Sequence, residues 1–389
     1  MTSKRDTILE LKNVKLVIGN GFDLHCGLKT KYRDYFLSDK NKNEYFKKWI
    51  NDYKSKAMNY VNFSLSNHKD FWLDFDNFDK TNLWTFFFYL TSNIEPNEQL
   101  DWKWCEIEKT ILQWVYNKDS RNENISFYSV YLLLSGNYKS SYSENIYILA
   151  SVAYRKNGEK QIYSTKEFYN LLLKELKLFE KEFGDYIYYQ IFDRLCSKYG
   201  NKVYINNFPE KTNEAINQLC TRDNIVSIES FNYSSIEIQE LESKFHNING
   251  NVDNPIFGVD SSAFFPPDER YIFTKTNRRM ELDMIEHKSY EQVDFDNIII
   301  YGHSLNSSDY SYFFSIFDKI DIIDFKNNSK IVFAYSIYDK TKIEKIKSDY
   351  RLAIFSLFQE YSKYKGNKEF PNRLLDALTT QGKVLLYEL

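Results

Sequence analysis

Four short stretches of this chain combine glycine with polar side chains in patterns that could hold or cleave a small molecule. The first is VIGNGFDL at 17–24, where an apolar run enters Gly19-Asn20-Gly21 and continues into Phe22 and Asp23. The chain has 12 glycines in 389 residues, so two of them this close need a reason. A glycine turn between a strand and a helix lets backbone amides approach a phosphate. A tight structural corner is the other reading, because GxG lacks the third glycine of the dinucleotide fingerprint. Asp23 sets a negative charge where a phosphate would sit, so it reads as a helix cap or as a contact for a hydroxyl or amine. His25 reads as a surface or packing residue of the first helical turn.

The second stretch, ESFNYSSIE at 229–237, carries Asn232 out of an apolar run toward a helix expected to be capped by Ser234 or Ser235. Asn232 could bond a turn or orient a ribose hydroxyl or a water. The third, NINGNVDNPIFGVDSS at 247–262, sets Asn249, Gly250 and Gly258 around two short apolar elements. The fourth, IIIYGHSLNSSDYSYF at 299–314, leads from a strand through Gly302, His303, Ser304 and Leu305 to a helix entered at Ser307, Ser308 or Asp309. Ser304 is not in a GxSxG elbow, so a hydrolase nucleophile is not indicated. His303 reads either as a buried hydrogen-bonded residue or as a base. HExxH, P-loop and clustered carboxylate motifs are missing, so no metal is expected.

These residues need a scaffold that gathers strand ends. The runs at 14–18, 202–206, 224–231, 297–302, 330–335 and 383–389 are short, apolar and rich in Ile and Val, as suits strands of a parallel sheet covered on both faces. Helical segments at 211–220, 309–320 and 341–361 separate several of them. Strand–helix alternation predicts an α/β fold with a doubly wound parallel sheet. Ligands of such sheets bind beyond the carboxyl ends of the strands. Gly19, Gly21, Gly250, Gly258 and Gly302 all fall at or just after expected strand ends. The stretch from about 31 to 200 reads mostly as helix, with apolar spacing around Trp104, Ile107, Ile111 and Trp114 and a long helix at 164–195 whose Gly184 marks an expected kink. One domain over 1–389, with a mainly helical insertion at about 31–200, is the economical organisation.

Composition excludes several classes. A net charge of -3 and an isoelectric point near 6.1 offer no global field for nucleic acid, which counts against a nuclease or RNA binder. Cys26, Cys105, Cys196 and Cys220 form no CxxC pair, so neither a zinc site nor a disulfide framework is indicated, and buried thiols in a reducing compartment are expected. No run approaches the ~18 apolar residues of a membrane helix, and the amino terminus lacks an apolar signal core. A cytoplasmic location follows as an expectation.

Read in order, GNGFDL with KTKYRDYF, the W-x-x-x-E of Trp104 and Glu108, FNYSSIE, NGNVDNPIFGVD and YGHSLNSSD resemble the AbiH family of bacterial abortive-infection proteins, over nearly the whole chain. The same series is similar to the wider sirtuin-like superfamily, which binds NAD on a Rossmann-like sheet. By that resemblance the superfamily's glycine turn falls on Gly19-Asn20-Gly21, its Asn turn on Asn232 and its His-Gly pair on Asn249-Gly250. The FG-type strand falls on Phe257-Gly258, and the GxSL turn on Gly302-His303-Ser304-Leu305. Gly250 is followed too closely by the next strand to leave room for the zinc module of protein deacylases.

The resemblance therefore implies an antiphage effector that binds NAD and hydrolyses its nicotinamide–ribosyl bond, or a nucleotide-sensing module that binds NAD or an ADP-ribose-like ligand without cleaving it. Phosphate would meet Gly19, Asn20 and Gly21, with Phe22 and Asp23 beside them. Asn232 would orient ribose or water, and Asn249 with Gly250 would line the nicotinamide-ribose pocket. Gly258 belongs to the same binding set. Gly302, Ser304 and Leu305 would touch the adenosine half, while His303 and Asp309 would handle protons. Asn249 departs from the family pattern, because an amide cannot act as a general base. His246, three residues earlier, would point to the opposite face of a strand. The partners implied are a nucleotide, a phage-derived trigger or second defence protein, and a second copy of the chain; neither membrane nor nucleic acid is among them.

Overall fold

Val14–Ile18, VKLVI, forms the first strand, β1, and all five residues are buried. Burial on both faces is what a largely apolar strand requires, and the strands Asn297–Tyr301 and Ile331–Tyr335 are buried throughout in the same way. The computed structural model describes residues 10–38, 82–91, 108, 111, 112, 115, 127–136, 144–198, 200, 203–236, 238, 240–264, 267–286, 293–337, 341, 343–366 and 373–389. These fall into two compact units. One is drawn from Met1–Lys31, Gly184–Pro255 and Arg279–Leu389, and the other from Tyr32–Phe183 and Ile256–Arg278.

The first unit contains a six-stranded sheet. After β1 come the helix α1 (Asn20–His25), the helix α2 (Phe208–Leu219), β2 (Ile225–Ser230) and β3 (Phe245–Asn247). Then follow β4 (Asn297–Tyr301), α3 (Tyr310–Lys319), β5 (Ile331–Tyr335), α4 (Ile343–Tyr364), α5 (Arg373–Thr380) and β6 (Val384–Glu388). The strands lie in the order β3-β2-β1-β4-β5-β6. Every pairing is parallel. Connections thus run outward from β1 through β2 to β3 and, on the other side, from β4 to β6. This Rossmann-like order reverses direction between β1 and β4, and such a reversal opens a crevice at the carboxyl ends of the two strands.

Alternation along the strands sorts their side chains. Val17, Ile298, Ile300, Ile331 and Phe333 join one core cluster with Phe313, Ile316 and Phe317 of α3 and Leu357, Phe358 and Tyr361 of α4. The helical members recur at three- and four-residue spacing, so each helix presents one apolar stripe. Phe317 and Phe358 stack at 5.4 Å between centroids with only 9° between planes. Lys15 interrupts the apolar face, although it is buried; it pairs with Glu229 of β2, which also accepts a hydrogen bond from Tyr312 of α3.

The second unit is built on helices at Tyr32–Ser38, Leu83–Thr91, Phe127–Leu134 and Glu144–Lys156 and the first part of Thr165–Ile191. Trp84, Phe87, Phe88, Phe127 and Phe179 are fully buried in it, and their rings meet edge-on, tilted or stacked. Arg278 forks onto the Glu180 carboxylate at 3.0 and 2.7 Å, and Lys275 pairs with Glu108 at 2.7 Å. Burial pushes Glu180 up, with Arg278 opposing it. Glu108, part of the W-x-x-x-E signature, thus sits in a buried ion pair. Trp104, Ile107, Trp114 and Cys105 lie outside the described residues, as does the helical pattern over 39–61.

Several sequence expectations change. Of the run at 202–206, the described residues 203–206 form no strand of the sheet; Tyr204 makes one antiparallel bridge to Phe192. Asn206 and Asn207 then adopt left-handed conformations, φ 58° and 52°, which end any extension and turn the chain into α2. Residues 233–236 form no helix, and Ser234 spends its hydroxyl on Asp23 instead of on a helix terminus. Gly258 follows no strand: Val259 makes a single parallel bridge to Thr274, and Gly258 belongs to the second unit. Gly184 does not interrupt its helix, which runs continuously over Thr165–Ile191. A Cβ there would stand 2.1 Å from the Val252 carbonyl oxygen, so the glycine admits a neighbouring backbone.

Candidate functional site

The carboxyl ends of β1 and β4 meet backbone to backbone. Gly19 donates its amide to the Tyr301 carbonyl at 3.0 Å, and Gly21 donates to the Gly302 carbonyl at 2.8 Å. A Cβ on Gly19 would lie 2.5 Å from the His303 Cα, and one on Gly21 2.7 Å from the Gly302 Cα. The glycines therefore let the two strand-end turns touch. Two of the three amides expected to face a phosphate are taken by the protein's own carbonyls. Asn20 accepts a hydrogen bond from Thr30 through its side chain, and Phe22 is buried edge-on to Tyr301 at 6.0 Å. His25, exposed at the end of α1, also meets Tyr301 edge-on.

Asp23 sits in the first turn of α1 and is 1% exposed. Its Oδ1 accepts from the Asn232 amide at 2.9 Å and the Ser234 hydroxyl at 2.7 Å. Burial lifts its carboxyl to about 7, against the two hydrogen bonds, which lower it. Asn232 gives a second bond, 3.0 Å, to the Gly19 carbonyl. One amide thus locks α1, the glycine turn and the loop after β2 together. Burial, with Asp23 beside it, also pushes up the Cys26 thiol, leaving it in the unreactive protonated form. Asn232→Ala removes both bonds, one of them to the buried Asp23 carboxyl, which should cost about 2 kcal/mol. A urea midpoint unchanged from wild type would show that the lock is not stabilising.

Asn247, at the end of β3, ties in the same loop by donating to the carbonyls of Asn232 and Ser234 at 2.8 and 2.9 Å. Asn249 lies two residues further on, buried, with its Oδ1 accepting from Arg279 at 2.8 Å. Gly250 follows in the left-handed region at φ 79°, where a Cβ would strike the Asn254 carbonyl at 2.0 Å.

On the β4 side, His303 is buried between the edges of Phe231 and Phe313, at 4.4 and 5.0 Å. Its Nδ1 accepts from the Leu305 amide at 2.9 Å, and its Nε2 faces Asp309 Oδ2 at 3.6 Å. Both ring nitrogens are therefore directed at protein groups. Leu305 holds φ 54° with its side chain in the core. A left-handed leucine costs roughly 1–3 kcal/mol, and such strain collects at functional turns. Ser304 is exposed. Asp309 gives no side-chain cap to α3.

The structure thus brings Gly19, Asn20, Gly21, Phe22, Asp23, Asn232, Gly302, His303, Ser304 and Leu305 to the ends of β1, β2 and β4, with Asp309 against His303. Asn249 and Gly250 lie beyond β3. Two features were missed. The Asp23 carboxyl is lifted by burial and bonded to partners more than 200 positions away, although its apolar neighbours Phe22 and Leu24 hinted at burial. Arg279 sits in no motif, and nothing in the sequence singled it out.

A family model for bacteriophage abortive infection, AbiH, matches residues 16–335. Comparison with curated proteins and with solved structures gave no match.

Proposed function

Because the chain belongs to the bacteriophage abortive infection AbiH family, we propose that it serves antiphage defence by binding NAD at the carboxyl ends of β1, β2 and β4 and hydrolysing the nicotinamide–ribosyl bond. The observation that carries this reading is the all-parallel order β3-β2-β1-β4-β5-β6, with the GNG turn directly after β1 at the point of reversal. The sirtuin-like resemblance of the same turns supports NAD over other nucleotides. In hydrolysis, water attacks the ribose carbon as the C–N bond breaks. The bond's electrons neutralise the cationic nicotinamide ring, so the leaving group needs no acid, and the water's proton passes to solvent. Positioning of ribose and water by Asn249 and the β4 turn would then supply the rate.

A second reading, nucleotide sensing without cleavage, is favoured by Asn249. It stands where the sirtuin-like pattern has a histidine, cannot accept a proton, and is bonded to Arg279. The two readings separate in one assay. Purified protein incubated with NAD should release nicotinamide and ADP-ribose, and Asn249→Ala should lose that release at a temperature where its melting curve shows it folded. Saturable NAD binding without nicotinamide release, even with phage lysate added, would replace the hydrolase with the sensor.

A further inference from the structure

We infer that Arg279 forms an anion-binding site that receives a phosphate of the bound nucleotide; the ligand's identity rests on the reading above, whereas the anion site does not. Two of the three glycine-turn amides that would ordinarily face a phosphate are occupied, that of Gly19 by the Tyr301 carbonyl and that of Gly21 by the Gly302 carbonyl. A phosphate at this end of the sheet needs another donor. Arg279 spends one of its five N–H donors on Asn249, and its Nε is buried with no acceptor. Its neighbour in sequence, Arg278, is fully neutralised by the Glu180 fork. Arg279 has no such carboxylate among the described residues.

The surrounding charges do not cancel it. Lys15 and Glu229 pair with each other, and Tyr312 bonds the same glutamate. The Arg279 charge acts on the Tyr312 phenol, lowering it against the larger effect of burial. Asn249 fixes the guanidinium just past β3, whose Asn247 is tied to the Asn232 loop. A guanidinium held by a neutral amide, with a buried N–H that lacks an acceptor, has the planar donor geometry that phosphate oxygens match.

The test titrates the full chain calorimetrically with ADP-ribose, adenosine and inorganic pyrophosphate, for wild type, Arg279→Gln and Arg279→Lys. Arg279→Gln should weaken ADP-ribose and pyrophosphate by about ten- to hundredfold and leave adenosine unchanged, with Arg279→Lys in between. Equal ADP-ribose affinity for wild type and Arg279→Gln would overturn the site while leaving NAD binding intact. Pyrophosphate bound through Arg279 without any ADP-ribose or NAD binding would keep the site and remove the NAD reading. Wild type binding neither pyrophosphate nor ADP-ribose would overturn both. Melting curves verify that the variants fold; if Arg279→Gln does not, Arg279→Lys against wild type decides.

Discussion

Gly302→Ala should destabilise the first unit by about 3 kcal/mol or more, combining ~1–2 kcal/mol for a left-handed alanine with ~1–3 kcal/mol for overpacking. Gly302 holds φ 65°, and its Cβ would lie 2.6 Å from the Phe22 nitrogen and 2.7 Å from the Gly21 carbonyl carbon. Those atoms are backbone, belonging to a turn already bonded to Gly302 and Tyr301, so no side chain can swing aside. Relief requires parting β1 from β4 where both strands are buried. Ser304→Ala is the control: it is exposed two residues away and should stay within about 0.5 kcal/mol of wild type. Urea denaturation reads both. A Gly302→Ala midpoint equal to that of the control would mean that the two turns do not pack as described.

Asp23→Asn should change how stability depends on pH. The folded carboxyl titrates at about 7 against an ordinary 3.8, so between those values the folded state holds a proton that the unfolded chain has released. Stability of the wild type therefore falls as pH rises from about 4 to about 7 and is level above it. Some three pH units at ~1.4 kcal/mol each make the loss on the order of 4 kcal/mol. Asparagine keeps an acceptor for Asn232 and Ser234 and has no proton to lose. The variant's stability relative to wild type should thus rise across that interval by the same amount. Parallel pH profiles for the two proteins would contradict a carboxyl lifted by burial. A fold that tolerates such a cost at the end of β1 gains a rigid turn beside the proposed nucleotide site, which is where perturbed carboxyls concentrate.

Much of the architecture was legible because buried parallel strands carry no polar face. VKLVI, NIIIY and IVFAY read directly as β1, β4 and β5. The run at 202–206 has the same local composition, yet its described residues 203–206 form no strand of the sheet, since a short apolar run says nothing about whether a neighbour offers its edge. The paired Asn206 and Asn207 were the available warning. Strand order was out of reach, because it depends on which strands pair and not on what each contains. The glycines were legible as points of close approach, yet not what approaches: at Gly19 and Gly21 it is the β4 turn, and at Gly184 the Val252 carbonyl. The helix expected after Asn232 is not formed over 233–236, where Ser234 found a carboxylate far away in sequence.

The same geometry changes how Asn232 should be used as a probe. It was expected to orient ribose or water, and its amide is engaged by Asp23 and Gly19. Loss of phage protection in Asn232→Ala would follow from a loosened turn as readily as from a lost ligand contact. Exposed Ser304 and partly buried Arg279 are cleaner probes, because neither ties one strand end to another.

A calorimetric titration of NAD into the purified wild-type chain shows directly whether the carboxyl ends of β1, β2 and β4 bind NAD, as proposed. One saturable site per chain is expected, with a melting temperature that rises as NAD is added. No heat and no shift in melting temperature at millimolar NAD would contradict it.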